Sequence, residues 1–524
     1  MSTLAANEID EDEIPLQFNA AAFFLDRHVD SGRGEHTAVI DDQGRYSYRE
    51  LSLRSNQVAN ALGQLGLKPE ARIALAVLDC VEFVDLFWGA IKAGIVPVCL
   101  NTLLTSEHYY YIVADSRVRV LLVSAALLDQ FRPILATLPH LEQVIVVGDD
   151  EYEFPKFNDW VSGQSEQFEC AKTHRDDVAF WLYSSGSTGN PKGVLHRHSS
   201  LYWSARLYGR DVLGIQSTDI VYSAAKLFFA YGLGNGMSFP FLVGATTVLF
   251  APRPTPDAVM DCLKRNNVSI FYGVPTLYAA LLASPDSAAQ EHLSLRICVS
   301  AGEALPEELG KRWQQRFDVD ILDGVGSTEM LHIYLSNRPG NVRYGSSGTP
   351  VPGYQARLVD DQDHNVADGE IGELLINGLT APNQYWAQRK KSVETFIGSW
   401  TRTGDKYTRD EQGFYYYCGR SDDMFKSGGN WVSPFEVESA LIAHEKVLEA
   451  AVIARADAHE NLKPMAYVIL KEGIEANDDL NEELRSFVKS RLELWKHPRW
   501  IEFREHFPKT ATGKIQRYKL RTPS

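Results

Sequence analysis

The sequence has few cysteines, and none has the spacing of a metal or redox pair. Its 524 residues include six cysteines, which lie far apart without any C-x-x-C motif. Isolated cysteines argue against a zinc ribbon or a dithiol redox centre. They indicate small buried side chains in a reducing compartment, and we therefore expect a cytoplasmic protein.

Long apolar runs and an excess of positive charge are also missing. The first 15 residues, MSTLAANEIDEDEIP, are acidic and lack the apolar segment of a signal peptide. The most apolar stretch, 83–100, contains Asp85, Lys92, Gly94 and Pro97, and is too interrupted to cross a bilayer. With 52 Lys and Arg against 68 Asp and Glu, the net charge is −16. This charge argues against a nucleic-acid partner, and we expect no membrane partner either.

Short apolar runs alternate with amphipathic stretches over the first 350 residues. Continuous apolar strands with helical patterns between them indicate parallel sheets covered on both faces, and hence an α/β fold. The predicted strands are 72–78, 96–99, 118–123, 141–147, 177–183, 246–250, 268–272 and 295–299.

The pattern changes after about residue 350. The segments 345–375 and 414–418 are rich in Gly, Asp and Tyr and alternate in polarity, which predicts antiparallel β structure of a barrel-like kind. Beyond Gly419 a short α/β stretch follows. It has predicted helices at 437–444 and 481–494 and predicted strands at 447–453 and 465–470. A separate C-terminal domain of about 100 residues fits this change.

A glycine- and serine-rich segment follows directly after the apolar strand 177–183. It reads Ser184, Ser185, Gly186, Ser187, Thr188, Gly189, Asn190, Pro191, Lys192 and Gly193. Backbone N–H groups, hydroxyls and one ammonium in such a loop suit a polyphosphate. It is not a Walker A loop, because the second glycine required after Gly186 falls on Pro191. The alternative is a flexible linker, against which the preceding strand and the single Lys192 argue.

The run YSSGSTGNPKG resembles the phosphate loop of the adenylate-forming superfamily, which includes acyl- and aryl-CoA ligases, adenylation domains and luciferases. The segments AAKLFFAYGLGN, SAGEALP, GSTEMLHI and PKTATGKIQR are most similar to benzoate–CoA ligases and their hydroxybenzoate relatives. The resemblance covers nearly the whole chain. It implies ATP, Mg²⁺ and coenzyme A as cofactors or co-substrates, a small aromatic carboxylate as substrate, and a possible homodimer.

The resemblance also implies the domain organisation and the reaction. An N-terminal AMP-binding domain, residues 1–421, would contain two α/β sheet subdomains and a β-barrel-like subdomain. A small mobile α+β lid would span 422–524, with its hinge near Asp422. The carboxylate would attack the α-phosphorus of ATP and release pyrophosphate. The coenzyme A thiol would then displace AMP from the acyl-adenylate.

Further motifs assign residues to the nucleotide by resemblance. In GSTE, Thr328 would donate to the α-phosphate and Glu329 would hold Mg²⁺. In WTRTGD, Asp405 would accept hydrogen bonds from the ribose hydroxyls, and Arg420 would contact ribose or phosphate. Val325 stands where the family usually has a tyrosine, so adenine contacts would be aliphatic or shifted. The remaining predicted nucleotide residues are Gly302, Glu303, Ala304, Asp323 and Gly324, together with Ser184, Ser185, Gly186, Ser187, Thr188, Gly189 and Lys192.

In the C-terminal region, the resemblance assigns Lys514 as the adenylation lysine, with Lys509 and Arg517 as rival cations. A flexible ammonium suits a domain that presents it and then withdraws it. Asp422 would absorb the backbone change during that rotation. The loop residues expected beside the pantetheine of coenzyme A are Lys426, Gly428, Gly429 and Trp431.

The acyl pocket is predicted from aromatic, small and glycine residues that suit one flat ring. These are Phe229, Ala230, Tyr231, Gly232, Ala301, Gly326, His332 and Ile333. The alternative is that the aromatic run belongs to the core and that His332 is a core histidine. Benzoate is the predicted substrate. The alternatives are 4-hydroxybenzoate or another substituted benzoate, or an aryl-adenylating enzyme that loads a carrier protein. A non-catalytic nucleotide-binding protein is disfavoured, because Glu329 and Lys514 are both present.

Overall fold

The computed structural model of the chain describes residues 10–184, 190–284, 293–428, 430–458, 460–509 and 515–521. Within them the chain forms mixed α/β structure, as the alternating apolar runs predict. No helix in these described ranges combines the length and the apolar character needed to cross a bilayer.

The first sheet has six strands in the order β6-β5-β3-β4-β7-β8, and all neighbours are parallel except β7 and β8. The strands are β3 (Arg72–Ala76), β4 (Val96–Cys99), β5 (Val120–Ser124), β6 (Gln143–Val147), β7 (Val178–Ser184) and β8 (Lys192–Arg197). The predicted strand 96–99 is confirmed with the same bounds. Its four residues are buried, as a continuous apolar run in a doubly covered sheet requires.

The second sheet has nine strands in the order β15-β14-β13-β12-β11-β9-β10-β1-β2. Its centre is parallel, and β2, β14 and β15 pair antiparallel at its two ends. The strands are β1 (Thr37–Ile40), β2 (Arg45–Ser47), β9 (Ile220–Ser223), β10 (Thr246–Val248), β11 (Ile270–Gly273), β12 (Ile297–Ser300), β13 (Ile321–Gly326), β14 (Ile333–Ser336) and β15 (Thr349–Pro350). The loops that follow β9, β12 and β13 leave from the carboxyl edge, where parallel α/β sheets place their ligand sites.

Helices cover both sheets. They are α1 (Tyr48–Gln64), α2 (Val81–Lys92), α3 (Ser106–Asp115), α4 (Leu128–Leu135), α5 (Phe157–Val161), α6 (His198–Ser204), α7 (Ala230–Leu233), α8 (Phe239–Val243), α9 (Pro256–Arg265), α10 (Pro275–Ala283), α11 (Glu307–Phe317) and α12 (Arg389–Thr395). A capping box of Ser47 and Glu50 begins α1. All residues of α2 are buried, and one hydrophobic core includes side chains of both sheets, such as Ile73 and Val299.

A third, antiparallel sheet follows where the composition changes. It consists of β16 (Gln355–Val359), β17 (Gly372–Asn377), β18 (Phe396–Ile397), β19 (Trp400–Arg409) and β20 (Tyr415–Arg420). The order is β16-β17-β19-β18, and β20 also pairs with β19. The antiparallel structure predicted after residue 350 is therefore confirmed.

The last region has its own small core. A hairpin of β21 (Phe425–Ser427) and β22 (Asn430–Val432) precedes a three-stranded sheet of β23 (Val447–Ala456), β24 (Leu462–Leu470) and β25 (Trp500–Phe503). Its helices are α13 (Pro434–Ile442), α14 (Asp478–Lys489) and α15 (Arg517–Arg521). The division of the chain at residue 422 stays a prediction.

The helix predicted at 481–494 is shifted toward the N-terminus. Asn477 caps α14, because its Oδ1 accepts a hydrogen bond from the Leu480 N–H at 2.8 Å. The helix ends at Lys489. Leu494 is 80% exposed, so the apolar residue that extended the predicted pattern is not part of the core.

Candidate active site

The glycine-rich segment connects two paired strands at the edge of the first sheet. Strand β7 ends at Ser184 and β8 begins at Lys192, and these two residues are partners in the antiparallel register. The predicted loop residues Ser185, Gly186, Ser187, Thr188 and Gly189 lie outside the described residues. The hairpin nevertheless fixes both ends of the predicted phosphate loop at the carboxyl end of β7.

The ends of this hairpin meet Glu329 of the GSTE segment. The Ser184 hydroxyl donates to Glu329 Oε1 at 3.3 Å, and the Tyr385 hydroxyl donates to the same oxygen at 2.7 Å. Lys192 Nζ lies 3.8 Å from Oε1 and donates to the Tyr385 hydroxyl at 3.2 Å. We call Ser184, Lys192, Glu329 and Tyr385 the Glu329 cluster. The structure thus brings together two predicted motifs that lie far apart in the sequence.

The two charged side chains of the Glu329 cluster, Lys192 and Glu329, are partly buried. Burial lowers the pKa of Lys192 from its usual value, while the Glu329 carboxylate acts in the opposite direction. The Lys192 ammonium also lies 4.3 Å from the centroid of the Tyr385 ring, within the range of a cation–π contact. A cation held by one carboxylate and one ring can exchange these partners for a phosphate.

Glu329 is also the natural candidate for a metal contact. Among the described residues, no group of three or more His, Cys, Asp or Glu side chains could hold a metal ion. The contacts of Glu329 fall on Oε1, and no described residue donates a hydrogen bond to Oε2. One carboxylate oxygen fits Mg²⁺ that arrives with a nucleotide, because this ion usually keeps waters and phosphates as its other ligands.

The turn after β13 is sterically constrained. A Cβ on Gly326 would lie 2.5 Å from the carbonyl oxygen of His332, so only glycine fits this position. Leu331 adopts a positive φ of 63°, which is costly for a bulky residue. The carbonyl of Thr328 accepts from the Leu331 N–H at 3.1 Å and closes the turn. The strained turn fixes the direction in which Thr328 and Glu329 leave the sheet.

Several predicted acyl-pocket residues lie together beside this turn. The Tyr231 hydroxyl donates to the carbonyls of Gly273 and Val299 at 3.3 and 3.2 Å. His332 Nε2 lies 3.1 Å from Asn235 Oδ1 and 3.3 Å from the Tyr231 carbonyl. Because both partners are acceptors, Nε2 carries the proton. We call Tyr231, Asn235 and His332 the His332 cluster.

The His332 cluster is neutral and closely packed. Burial lowers the pKa of His332 to about 3, so the imidazole carries no charge near neutral pH. A Cβ on Gly232 would lie 2.0 Å from the Lys226 carbonyl oxygen, which requires glycine in α7. Ala230, Ala301 and Ile333 are buried in the same core, and Phe229 packs against it. The predicted substrate residues therefore share one region, although much of it is core.

The residues predicted at the ribose form a second charged pair. Asp405 and Arg420 face each other across β19 and β20, and Arg420 Nη1 donates to Asp405 Oδ1 at 3.0 Å. Asp405 is the main reason why the pKa of Arg420 is raised above its usual value. Gly404 has a φ of 73° and lies against the Arg420 guanidinium. Asp422 lies in the turn after β20.

The residues predicted near adenine lie at the carboxyl ends of β12 and β13. Gly302, with a φ of 93°, is followed by Glu303 and Ala304 in the loop after β12. Asp323 and Gly324 lie within β13. Asp323 is buried, and burial raises the pKa of its carboxyl well above the usual value. Adjacent parallel strands thus bring both segments to one edge.

The predicted coenzyme A residues form the β21–β22 hairpin. Lys426 is exposed, and its Nζ lies 4.8 Å from the centroid of the Trp431 ring. Gly428 adopts a φ of 61°. Gly429 and Lys514 lie outside the described residues. The rival cations are both in ion pairs: Lys509 Nζ contacts Glu449 at 2.8 Å, and Arg517 Nη2 contacts Glu438 at 2.7 Å.

Tyr385 is the residue of the Glu329 cluster that the sequence pattern did not indicate. It is 2% exposed and lies between the third sheet and β8. It is 56 residues from Glu329 and 193 residues from Lys192, so no local spacing links the three side chains. The aromatic pair Tyr385-Trp386 is the local signal that could have indicated a packed segment at this place.

The comparison with protein families decides the classification. A model described as AMP-binding enzyme matches residues 25–386, and its C-terminal domain model matches residues 436–514. The chain belongs to the AMP-binding enzyme family. The predicted membership of the adenylate-forming superfamily is thereby confirmed.

Similar members of the AMP-binding enzyme family include aryl–CoA ligases. The chain is 54% identical to a benzoate–CoA ligase from Thauera aromatica, over 97% of each chain. It is 50% identical to a 4-hydroxybenzoate–CoA/benzoate–CoA ligase from Rhodopseudomonas palustris, over 97% of this chain and 95% of that one.

Solved structures show the same fold. The anthranilate CoA ligase AuaEII in complex with anthranoyl-AMP superposes with a TM-score of 0.94 at 44% identity, covering 98% of each chain. A benzoate CoA ligase from Burkholderia xenovorans LB400 superposes with a TM-score of 0.90 at 48% identity, covering 96% of this chain and all of that one. The AMP-binding enzyme family therefore accounts for both parts of the chain.

Proposed function

We propose that this AMP-binding enzyme is an ATP-dependent benzoate–CoA ligase. The observation that carries the proposal is the Glu329 cluster, where a phosphate-loop lysine and the GSTE carboxylate meet beside the neutral His332 cluster. An anion-binding end next to an uncharged, ring-lined region suits an aromatic acid whose carboxylate must reach a nucleotide. The likeness to the Thauera and Burkholderia ligases supports benzoate as the acid.

In the first half-reaction, the carboxylate oxygen attacks the α-phosphorus, and pyrophosphate leaves. In this proposal the 184–189 loop and Lys192 hold the phosphates, and Thr328 donates to the α-phosphate. Lys514 offsets the charge that develops on the phosphoryl oxygens. Mg²⁺ would be held by Glu329 and the nucleotide, and it would offset the charge of the phosphate oxygens. Positioning and electrostatic stabilisation supply the catalysis, without a covalent enzyme intermediate.

The nucleoside is held away from the reacting atoms. Asp405 would accept from the two ribose hydroxyls, since a carboxylate matches a diol, and Arg420 stays within reach of ribose or phosphate. The segments Gly302–Ala304 and Asp323–Gly324 would line the adenine. These contacts leave the α-phosphorus facing the acyl pocket.

In the second half-reaction, the coenzyme A thiol attacks the carbonyl of benzoyl-AMP. The thioester forms, and AMP leaves. Rotation about Asp422 would remove Lys514 and bring the Lys426–Gly429 loop and Trp431 beside the pantetheine. We place the reaction in the cytoplasm, where the six cysteines, all free in the structure, stay reduced.

The proposal is tested by incubating the purified protein with MgATP, coenzyme A and a panel of aryl acids. Benzoate should give benzoyl-CoA and AMP in equal amounts, and should support exchange of labelled pyrophosphate into ATP. A higher kcat/KM for 4-hydroxybenzoate or 2-aminobenzoate would reassign the substrate within the class. Absence of pyrophosphate exchange with every acid would refute the function.

A further inference from the structure

We propose that Tyr385 is a positioning residue that holds Glu329 by one oxygen and keeps Lys192 from closing onto it. This inference rests on the proposed function, because it concerns the groups assigned there to the phosphates and the metal. It assigns a role to a residue that the proposed reaction does not place in contact with benzoate, ATP or coenzyme A. The hydroxyl of Tyr385 acts through its two neighbours.

The direction of the hydrogen bonds is fixed by chemistry. An ammonium has only donors, so the hydrogen bond of 3.2 Å between Lys192 and Tyr385 uses the tyrosine oxygen as acceptor. The single phenolic proton is then available for Glu329 Oε1, at 2.7 Å. A tyrosine hydroxyl ordinarily keeps its proton near neutral pH, so the phenol can act as this donor. Lys192 therefore donates to Tyr385, and Tyr385 donates to Glu329.

The backbone around Tyr385 is fixed to the phosphate-loop hairpin. Tyr385 forms a bridge with Val194, and the Trp386 N–H donates to the Gly193 carbonyl at 2.9 Å. The Trp386 indole N–H donates to the Asp115 carbonyl at 2.9 Å. The phenol is therefore held by the first sheet although it comes from a distant segment. A group anchored in this way can orient a carboxylate with little further loss of entropy.

The arrangement separates two charges that would otherwise neutralise each other. Lys192 and Glu329 are 3.8 Å apart, at the outer limit of an ion pair, and the Tyr385 oxygen bonds to both. Without the hydroxyl, the ammonium can close directly onto Oε1 and compete with a phosphate. The carboxylate would also lose the shorter of its two hydrogen bonds on Oε1 and keep only the one from Ser184, at 3.3 Å.

The test is Tyr385→Phe, which removes the hydroxyl and keeps the ring. Calorimetry would measure the affinity of the unliganded protein for MgATP and for ATP with the metal chelated, without an acid or coenzyme A. We expect MgATP to bind about tenfold more weakly, the size expected for losing a hydrogen bond to a charged group. The affinity for metal-free ATP should fall less, because that form loses only the open Lys192 ammonium, whereas MgATP also loses the fixed Glu329 carboxylate.

A matched control is Tyr354→Phe. The Tyr354 hydroxyl is also buried and lies 3.0 Å from the Thr380 hydroxyl, in the segment that leads to Tyr385. This variant loses a buried hydroxyl contact that does not involve Glu329 or Lys192, and it should bind both forms of ATP as the wild type does. Thermal unfolding of both variants shows whether the fold is intact.

Three outcomes overturn the inference: unchanged MgATP binding in Tyr385→Phe, an equal loss for both forms of ATP, or the same loss in Tyr354→Phe. The binding assay uses no acid, so it is separable from the function assay. If the wild type binds MgATP but activates no aryl acid, the ligase function is refuted. The role of Tyr385 is then still decided by the MgATP affinities of the two variants.

Discussion

The Glu329 cluster and the His332 cluster lie on either side of the turn after β13, yet they are built differently. The Glu329 cluster contains opposite charges, and its hydrogen bonds all run between side chains. The His332 cluster is neutral, and its Tyr231 and His332 side chains bond to three backbone carbonyls and one side-chain amide oxygen. The difference indicates that one cluster is arranged to exchange its partners for ligand atoms, whereas the other is arranged to keep its shape.

The largest effect should come from the charge supplied by the C-terminal region. Lys514→Ala should slow benzoyl-adenylate formation by about 10²–10³-fold, because it removes a preorganised donor to the phosphoryl oxygens. Thioester formation from supplied benzoyl-adenylate should be nearly unchanged. Lys489→Ala, at the exposed end of α14, is the control. Equal loss of both half-reactions in Lys514→Ala would contradict the assigned role.

Glu329→Gln tests whether the Glu329 cluster works through charge. Glutamine can still accept from Tyr385, so the shape is retained while the carboxylate charge is lost. We expect adenylate formation to fall by about 10²-fold at saturating benzoate, as for loss of one electrostatic group. Glu411→Gln, at an exposed position, is the control. If Glu329→Gln kept wild-type rates at every Mg²⁺ concentration, the contrast between the two clusters would fail.

Gly326→Ala tests the packing between the clusters. The added Cβ would lie 2.5 Å from a backbone oxygen, so the turn must shift. The free energy of unfolding should fall by about 1–3 kcal/mol, as for overpacking in a core. Gly63→Ala in α1 has no atom within 4 Å of the new Cβ and should be neutral or stabilising. Urea unfolding of both variants measures the difference, and equal stability would show that the turn adapts freely.

The smallest effect concerns pH. His332 has its pKa lowered to about 3, while the unfolded chain would titrate near 6.5. Below pH 6.5 the unfolded state binds more protons, so stability is complete above 6.5 and falls as the pH approaches 3. In His332→Gln, the free energy of unfolding should therefore fall less steeply with decreasing pH, by up to about 1.4 kcal/mol per pH unit.

Urea unfolding at pH 7 and pH 5 would measure that slope. Three other buried histidines, His28, His196 and His198, also have lowered pKa values and keep part of the slope in the variant. His140→Gln, at an exposed site, is the control. An unchanged slope in His332→Gln would contradict the neutral, buried state of the His332 cluster.

The sequence predicted the strands well where burial alone decides them. Val96–Cys99 is apolar throughout and buried on both faces, so its pattern has one interpretation. The helix predicted at 481–494 was misplaced. The amphipathic pattern extended to Leu494, whereas the observed helix α14 begins after its cap, Asn477, and ends at Lys489. Local signals such as caps and apolar runs thus fixed elements, with errors at their ends.

The site was predictable only as separate motifs. Lys192 and Glu329 were each indicated by the resemblance, but their meeting depends on how β7, β8 and β13 are placed in two different sheets. Tyr385 belongs to none of the predicted motifs, and its proposed role follows from two hydrogen bonds made in the folded chain, to Glu329 and from Lys192. Spacing along the sequence contains no information on such a contact.

The ion pairs on either side of residues 510–514 have a mechanical consequence. Lys509 forms an ion pair with Glu449 and a backbone β-bridge with Ile515. Arg517 forms ion pairs with Glu438 and Asp423. Lys509 and Arg517, the described residues on the two sides, are thus attached to β23 and α13. Under the proposed rotation about Asp422 both residues would travel with this small sheet and its helix, so breaking either ion pair should slow adenylate formation although Lys514 itself is unchanged.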